Sequence, residues 1–147
     1  MRTTGVLVLV LCTAAAVQLP SMLAAQTAAG SIQPLVGTWQ LLRASTPVPE
    51  ACSAATLTFR RDGTFEGTSG TLKTRGRYST SGAKNSYRLK LEQLEYSGAE
   101  NCQGVTARDM QANNASVMNL AFERDGHDFR LSAPLPSNAY IVYTRAK

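Results

Sequence analysis

The chain has 147 residues, of which 44% are hydrophobic and 17% are charged, with 11 Gly, 6 Pro and a formal net charge of +5. This is the composition of a globular protein; it excludes a disordered, low-complexity or collagen-like chain, and the length suits one domain. With 1 His, 3 Cys and 10 acidic residues, the chain has few groups from which to build a metal centre or an acid/base pair.

The first 25 residues have the layout of a secretory signal peptide. Met1-Arg2 gives a short positive region, the uncharged stretch Val6–Val17 is apolar, and Ala24-Ala25 offers small side chains for signal peptidase. The apolar stretch is too short to span a bilayer core, which needs about 20 residues. We therefore expect export to the periplasm or the medium and removal of residues 1–25. Residues 26–34 would then form a flexible leader, and no transmembrane segment would remain. The alternative is an uncleaved membrane anchor.

Removal of the signal peptide would leave two cysteines, Cys52 and Cys102. Two cysteines in an exported chain most simply form one disulfide. It would close a loop of about 50 residues and add on the order of 4 kcal/mol of stability in the chain-entropy description. The alternative, a pair of metal-binding or redox thiols, lacks both CxxC spacing and a nearby histidine, so we expect no metal site and no cofactor.

Short β-type segments alternate with turn signals from residue 37 onward, at the spacing of an all-β sandwich or barrel. No repeat or linker marks a second domain, so residues 35–147 are assigned to one barrel domain, with a long loop or short helix over residues 101–114. Consecutive strands joined by short turns make a meander, which closes into an antiparallel up-and-down barrel to leave no unpaired edge. The eight predicted strands are Gly37–Arg43, Ala55–Arg60, Thr64–Thr68, Thr71–Thr80, Ser86–Tyr96, Ser116–Arg124, His127–Ala133 and Ala139–Arg145.

Two hairpins can be predicted with their register. Asp125-Gly126 suits a two-residue type I′ turn, which pairs Phe122 with Phe129 on one face of the sheet. A three-residue Arg-Asp-Gly loop, with its glycine left-handed, pairs Phe59 with Phe65. In both hairpins this register keeps the apolar side chains together.

Residues 35–41 (LVGTWQL) resemble the Gly-x-Trp opening of the calycin superfamily, especially bacterial lipocalin-like domains that begin LxGTWxL. Arg145, on the last predicted strand, resembles the basic residue that packs over this Trp and closes one end of those barrels. The resemblance implies an eight-stranded barrel whose first and last strands are neighbours. It also implies structural roles for Trp39 and Arg145 as a cation–π pair. The alternative is the META domain, another all-β exported family that opens with a WxL strand, although its Gly- and Asn-rich central motif is absent here.

Strand alternation places a set of apolar side chains inside the barrel. A barrel of this size is either filled by side chains or holds one small ligand. Small inward residues on neighbouring strands predict space for a small hydrophobic molecule, with the hydroxyls of Tyr78 and Tyr87 as polar handles. The alternative is a packed core in which the glycines serve strand bends. The candidate lumen residues are Phe65, Gly67, Thr74, Gly76, Tyr78, Tyr87, Leu89, Phe122 and Phe129.

The outer face of the fourth and fifth predicted strands is basic. A hairpin over the polar loop 81–85, pairing Tyr78 with Tyr87, would set Arg77 opposite Arg88 and place like charges across the ladder. An anionic envelope component would relieve this repulsion, whereas a solvated basic face is the simpler interpretation. The candidate anion-binding residues are Lys73, Arg75, Arg77, Arg88 and Lys90. A modest net charge without an aromatic stacking platform argues against specific nucleic-acid binding.

The sequence contains no recognisable catalytic constellation. His127 is the only histidine and lies beside a predicted turn. No Gly-x-Ser-x-Gly, phosphate-binding glycine loop or metal-ligand spacing is present, and no two titratable groups are positioned for acid/base work. We therefore expect a binding protein rather than an enzyme. It would hold a small hydrophobic ligand in its lumen or, alternatively, act as an envelope interaction module with a filled core that contacts a protein or an anionic polymer.

Overall fold

In the computed structural model, which describes residues 32–112, 116–134 and 138–147, eight strands form a closed antiparallel barrel. The strands are neighbours in chain order, and the last one pairs with the first, as the meander predicts. The predicted fold class is confirmed, while the predicted signal peptide and most of the predicted leader lie outside the described residues. The strands are β1 Gly37–Ala44, β2 Thr56–Phe59, β3 Thr64–Ser69, β4 Leu72–Ala83, β5 Ser86–Ser97, β6 Ser116–Glu123, β7 Asp128–Ser132 and β8 Tyr140–Arg145.

Helical structure is confined to short elements in the connections. Helix α1, Ala107–Gln111, lies in the β5–β6 connection, and the side chain of Thr106 caps it by accepting a hydrogen bond from the Asp109 N–H at 3.3 Å. Short 3₁₀ turns precede β1 (Gln33–Leu35) and β2 (Glu50–Cys52). The short helix predicted within residues 101–114 is therefore present.

Both predicted hairpin registers are confirmed. Phe122 pairs with Phe129 across β6 and β7, and the Asp125 and Gly126 backbones have the positive φ values, 54° and 86°, that a type I′ turn requires. Phe59 pairs with Phe65 across β2 and β3, and the glycine of that loop is left-handed with φ 80°. Turn chemistry and hydrophobic alternation agree at both sites, which fixes the pairing.

The predicted register of the β4–β5 hairpin is wrong. Tyr78 pairs with Leu91, and Tyr87 pairs with Gly82, so the strands slide by four residues relative to the prediction. The segment expected to be a polar loop continues β4, and the turn is the dipeptide Lys84-Asn85, with φ values of 52° and 63°. Because four is an even shift, the side chains of β5 before the bulge at Gln93 keep the face that alternation predicts.

One end of the barrel is closed by the segment that precedes β1, and we term it the closed end. Trp39 is fully buried there, and its indole N–H donates to the Leu35 carbonyl at 2.8 Å. The Arg145 guanidinium lies 4.4 Å from the centre of the indole ring and donates to the carbonyls of Pro34 (2.7 Å) and Val36 (3.3 Å). The bond to the Pro34 carbonyl links the segment before β1 to the last strand. The structural roles implied for Trp39 and Arg145 agree with these contacts.

The glycine of the Gly-x-Trp opening is required by the same arginine. Gly37 has φ 137°, and a Cβ atom added to it would lie 2.7 Å from Nη1 of Arg145. A larger residue would push the guanidinium off the indole, so the Gly and the Trp form one structural unit with Arg145.

Candidate functional site

The half of the barrel next to the closed end is filled by aromatic side chains. Trp39 and Phe129 meet edge to face with ring centres 4.7 Å apart, Phe59 meets Tyr78 at 4.9 Å, and Phe59 stacks on Phe65 at 6.0 Å. All five residues are at most 5% exposed. Three of the predicted lumen residues therefore belong to a packed core.

The space expected between the small inward residues is occupied as well. A Cβ on Gly67 would lie 3.0 Å from the Leu57 Cδ2 methyl group. A Cβ on Gly76 would lie 2.9 Å from Phe65, 3.0 Å from Leu94 and 2.7 Å from a backbone carbonyl oxygen. In this part of the barrel the packed-core alternative describes the arrangement.

The remaining predicted lumen residues line the interior without forming one pocket. Leu89 is fully buried, and Thr74 is half-buried beside Gly67. Tyr87 and Phe122, both half-buried, meet edge to face with ring centres 6.0 Å apart.

The hydroxyl of Tyr78 does not serve the interior as a polar handle, since it donates to the Arg60 carbonyl at 2.7 Å. Tyr143, which the sequence analysis did not select, stacks on Phe129 at 5.2 Å, and burial raises its pKa to about 12. Its phenol is therefore neutral at physiological pH and belongs to the same aromatic core.

The other end of the barrel, termed the disulfide end, is held by the bond between Cys52 and Cys102. This bond links the β1–β2 connection to the β5–β6 connection, with the two Cα atoms 5.0 Å apart, and confirms the predicted pairing. The β5–β6 connection packs so closely on the β3–β4 turn that a Cβ on Gly70 would lie 2.9 Å from backbone atoms of Asn101 and Cys102. The Ser69 hydroxyl also donates to the Cys102 sulfur at 3.0 Å. These contacts cover the β3–β4 side of this end.

On the β8 side, the disulfide end is less closed. Ile141 pairs directly with Leu131, which is 5% exposed and belongs to the core, so both side chains lie on the inner face. Ile141 is nevertheless 40% exposed. Leu94 and Met118 also face inward here and are only partly buried. An inner-face aliphatic side chain is therefore exposed to solvent at this end.

Tyr96 is another partly buried inner-face residue near the disulfide end. It pairs with Thr74, which in turn pairs with the inward-facing Gly67, so Tyr96 also lies on the inner face. Partial burial raises its pKa, and its hydroxyl makes no hydrogen bond to any described residue. Sequence reasoning missed this residue because its inward orientation depends on a β-bulge around Gln93, which has φ 53°. We term the inner-face residues Leu94, Tyr96, Met118 and Ile141 the mouth.

The outer face of β4 and β5 carries alternating rather than like charges. Arg75 lies between Glu66 on β3 and Glu95 on β5, and Arg77 lies opposite Glu92. The Arg75 guanidinium is 3.8 Å from the Glu66 carboxylate. The predicted pairing of Arg77 with Arg88 is therefore wrong, since the register places acidic residues opposite the arginines.

The five candidate anion-binding residues are all exposed on this outer face. Arg88 lies opposite Ser81 and Asn119, and the Lys90 ammonium is 2.6 Å from the Glu92 carboxylate. Glu66 accepts a hydrogen bond from Arg60 at 3.0 Å, and this bond is the main reason that its pKa lies below the ordinary value. The face is thus mixed in charge, which removes the repulsion that motivated an anionic partner there.

The β6–β7 connection carries the single histidine, His127, and leads into the buried Asp128. His127 is exposed on the β6–β7 turn, and no three His, Cys, Asp or Glu side chains of the described ranges come together as metal ligands. Asp128 is 2% exposed and accepts two hydrogen bonds from Arg124, at 2.6 and 2.7 Å, which hold its pKa below the ordinary value. No helix in the described part of the chain is long and apolar enough to cross a membrane.

Comparison with known proteins gives a likeness of fold only. No protein-family model matches the chain, and no curated protein matches it. A solved structure of a DUF4847 family protein from Bacteroides vulgatus ATCC 8482 is similar to it with a TM-score of 0.51 and 15% sequence identity. The match covers 77% of this chain and 94% of that one. The chain is thus similar to that protein in its eight-stranded antiparallel barrel, and its function has to be argued from its own residues.

Proposed function

We propose that this protein is an exported barrel that binds a small hydrophobic molecule at the mouth. The observation that supports this most directly is Ile141, an inner-face aliphatic side chain that is 40% exposed. Exposing such a residue costs hydrophobic free energy that a bound apolar molecule would recover. The signal-peptide layout and the disulfide support an exported location.

The packing of the barrel limits the size of the ligand. The aromatic core from Trp39 to Phe65 leaves the closed half without room, so a ligand would occupy only the disulfide end. Its apolar part would contact Met118 and Ile141, and a single polar group would reach the hydroxyl of Tyr96. These features favour a compact amphiphile, such as a short acyl chain or a ring with one hydrogen-bonding group.

A matched pair of variants tests the site. Ile141 faces inward and Val117 faces outward, both are β-branched, and both are 40% exposed. We expect the wild-type protein to bind the neutral fluorophore N-phenyl-1-naphthylamine, and Ile141→Asn to weaken this binding by about tenfold, which corresponds to roughly 1.4 kcal/mol. Val117→Asn should bind like the wild type. Equal effects of the two substitutions, or no binding by the wild type, would contradict the proposal.

Mass spectrometry tests the ligand and the export step together. We expect native spectra of protein purified from the producing organism to contain a small apolar adduct that organic extraction removes. We expect the chain to begin near residue 26. A chain that retains Val6–Val17 would exclude export by signal cleavage, and a persistently bare mass would count against a resident ligand.

A further inference from the structure

The closed end carries a cleft that plays no part in the proposed hydrophobic site. It lies between the β6–β7 turn and the chain that leaves β8, and its volume is about 370 Å³. The backbone ties its walls together, because the Arg145 N–H donates to the His127 carbonyl at 3.1 Å and the Ala146 N–H donates to the Thr38 carbonyl at 3.0 Å. The lining residues are Arg124, His127, Thr144, Arg145, Ala146 and Lys147.

The lining contains basic side chains and no acidic one. Arg124 is held in place by the buried Asp128, and Arg145 is held by its stacking on Trp39 and by backbone carbonyls. Two guanidinium groups are therefore positioned before any ligand arrives. Lys147 is exposed and forms no ion pair with a described residue, so its ammonium group is available to close on an anion.

The distribution of charge along the barrel favours anions at this end. Residues 60–63, 84–85, 124–128 and 145–147 form the turns and strand ends here, and they contain six Lys or Arg against three Asp. The connections at the disulfide end contain one Arg against three acidic residues. The cleft thus lies at the positive end of an asymmetric charge distribution, which raises the local concentration of anions.

We propose that this cleft binds a phosphate group. Preorganised guanidinium groups suit phosphate oxygens, because their N–H donors match the spacing of those oxygens, and a lysine adds a mobile charge. The cleft volume admits a phosphate monoester or the head group of an anionic lipid. This site is independent of the mouth, which lies at the opposite end of the barrel.

The test uses one charge reversal in the cleft and one at the disulfide end of the barrel. Lys147→Glu removes the available cation of the cleft, and Arg108→Glu makes the same change in net charge at an exposed residue of α1 that also forms no ion pair with a described residue. Inorganic phosphate is titrated into the ¹⁵N-labelled protein at neutral pH, with sodium chloride at equal ionic strength as the blank. We expect phosphate to shift the amide resonances of residues 124–128 and 144–147. We expect Lys147→Glu to weaken this response by about tenfold while Arg108→Glu leaves it within about twofold.

Vesicles distinguish the two sources of the phosphate group. Binding to phosphatidylglycerol vesicles but not to phosphatidylcholine vesicles, with loss in Lys147→Glu alone, would assign the site to a lipid head group. Selective shifts with inorganic phosphate and no vesicle binding would assign it to a soluble phosphate ester. Shifts scattered over the barrel, no shifts at all, or equal losses in both variants would overturn the proposal.

Discussion

Gly76 and Gly67 provide a test of whether the barrel is filled at depth. Both are inward positions on neighbouring strands, and an alanine at either would fill a cavity if one were there. The contacts differ, however. At Gly76 the nearest atom to an added Cβ is a backbone carbonyl oxygen at 2.7 Å, with Phe65 at 2.9 Å. At Gly67 it is the end of the flexible Leu57 side chain at 3.0 Å.

The two alanine substitutions are expected to change the free energy of unfolding by different amounts. Overpacking a well-packed core costs about 1–3 kcal/mol, whereas replacing glycine by alanine stabilises by about 0.4–1 kcal/mol through the unfolded chain. Because a backbone carbonyl cannot rotate away, we expect Gly76→Ala to lower the free energy of unfolding by about 1–2 kcal/mol. Leu57 can shift by a few tenths of an ångström, so Gly67→Ala should change the free energy by less than about 0.5 kcal/mol.

Equilibrium unfolding in urea, followed by the fluorescence of the single tryptophan, measures both values. The matched comparison removes effects common to any glycine-to-alanine change in a strand. If Gly76→Ala proved neutral or stabilising, the deep interior would contain free space. The ligand site would then extend beyond the mouth, and the argument for a small ligand would fail.

Three further outcomes follow from the closed end and the disulfide. Trp39→Ala should lower the free energy of unfolding by about 3–5 kcal/mol. Trp39→Phe should lower it by about 1–3 kcal/mol, because the buried carbonyl that accepts from the indole N–H loses its donor. Unfolding in urea, followed by circular dichroism, measures both values. Arg124 lowers the pKa of Asp128 in the folded state. The contribution of this carboxylate to the free energy of unfolding is therefore complete above the ordinary aspartate pKa of about 3.9, and it is lost as the pH falls through the lower pKa of the folded state. Asp128→Asn should therefore be less stable at neutral pH and lose less stability on acidification, and parallel wild-type and variant curves would contradict this. Replacing Cys52 and Cys102 by serine should lower the free energy of unfolding by about 4 kcal/mol, and a loss below about 1 kcal/mol would show that the disulfide adds little.

Local rules predicted the strands and faces of this protein well because two independent signals agreed at most positions. At Asp125-Gly126 the turn chemistry and the hydrophobic alternation require the same register. At the β4–β5 hairpin the polar composition of residues 81–85 is typical of a loop. The sequence Lys84-Asn85 does not by itself indicate a tight turn, because lysine rarely adopts a positive φ. The partners across that hairpin were therefore predicted wrongly, although the even shift preserved the faces of β5 before the bulge at Gln93.

The candidate site was harder to predict because alternation gives the face of a side chain but not its depth in the barrel. Gly76 faces inward as predicted, but only the positions of Phe65 and Leu94 show that its space is occupied. Tyr96 could not be selected at all, since the bulge that turns it inward has no clear sequence signal. The disulfide was predictable because only two cysteines follow the predicted signal peptide.

The pairing of β1 with β8 sets the order in which this chain can complete its fold. Trp39 lies opposite Arg145, more than 100 residues later, so a chain emerging from the ribosome lacks this partner until its last strand has been made. The consecutive hairpins need only nearby residues and can form early, whereas the closing pair must overcome the entropy of the whole intervening segment. The barrel therefore cannot close before β8 has been made, and losing this strand would leave both β1 and β7 as exposed edges that invite aggregation.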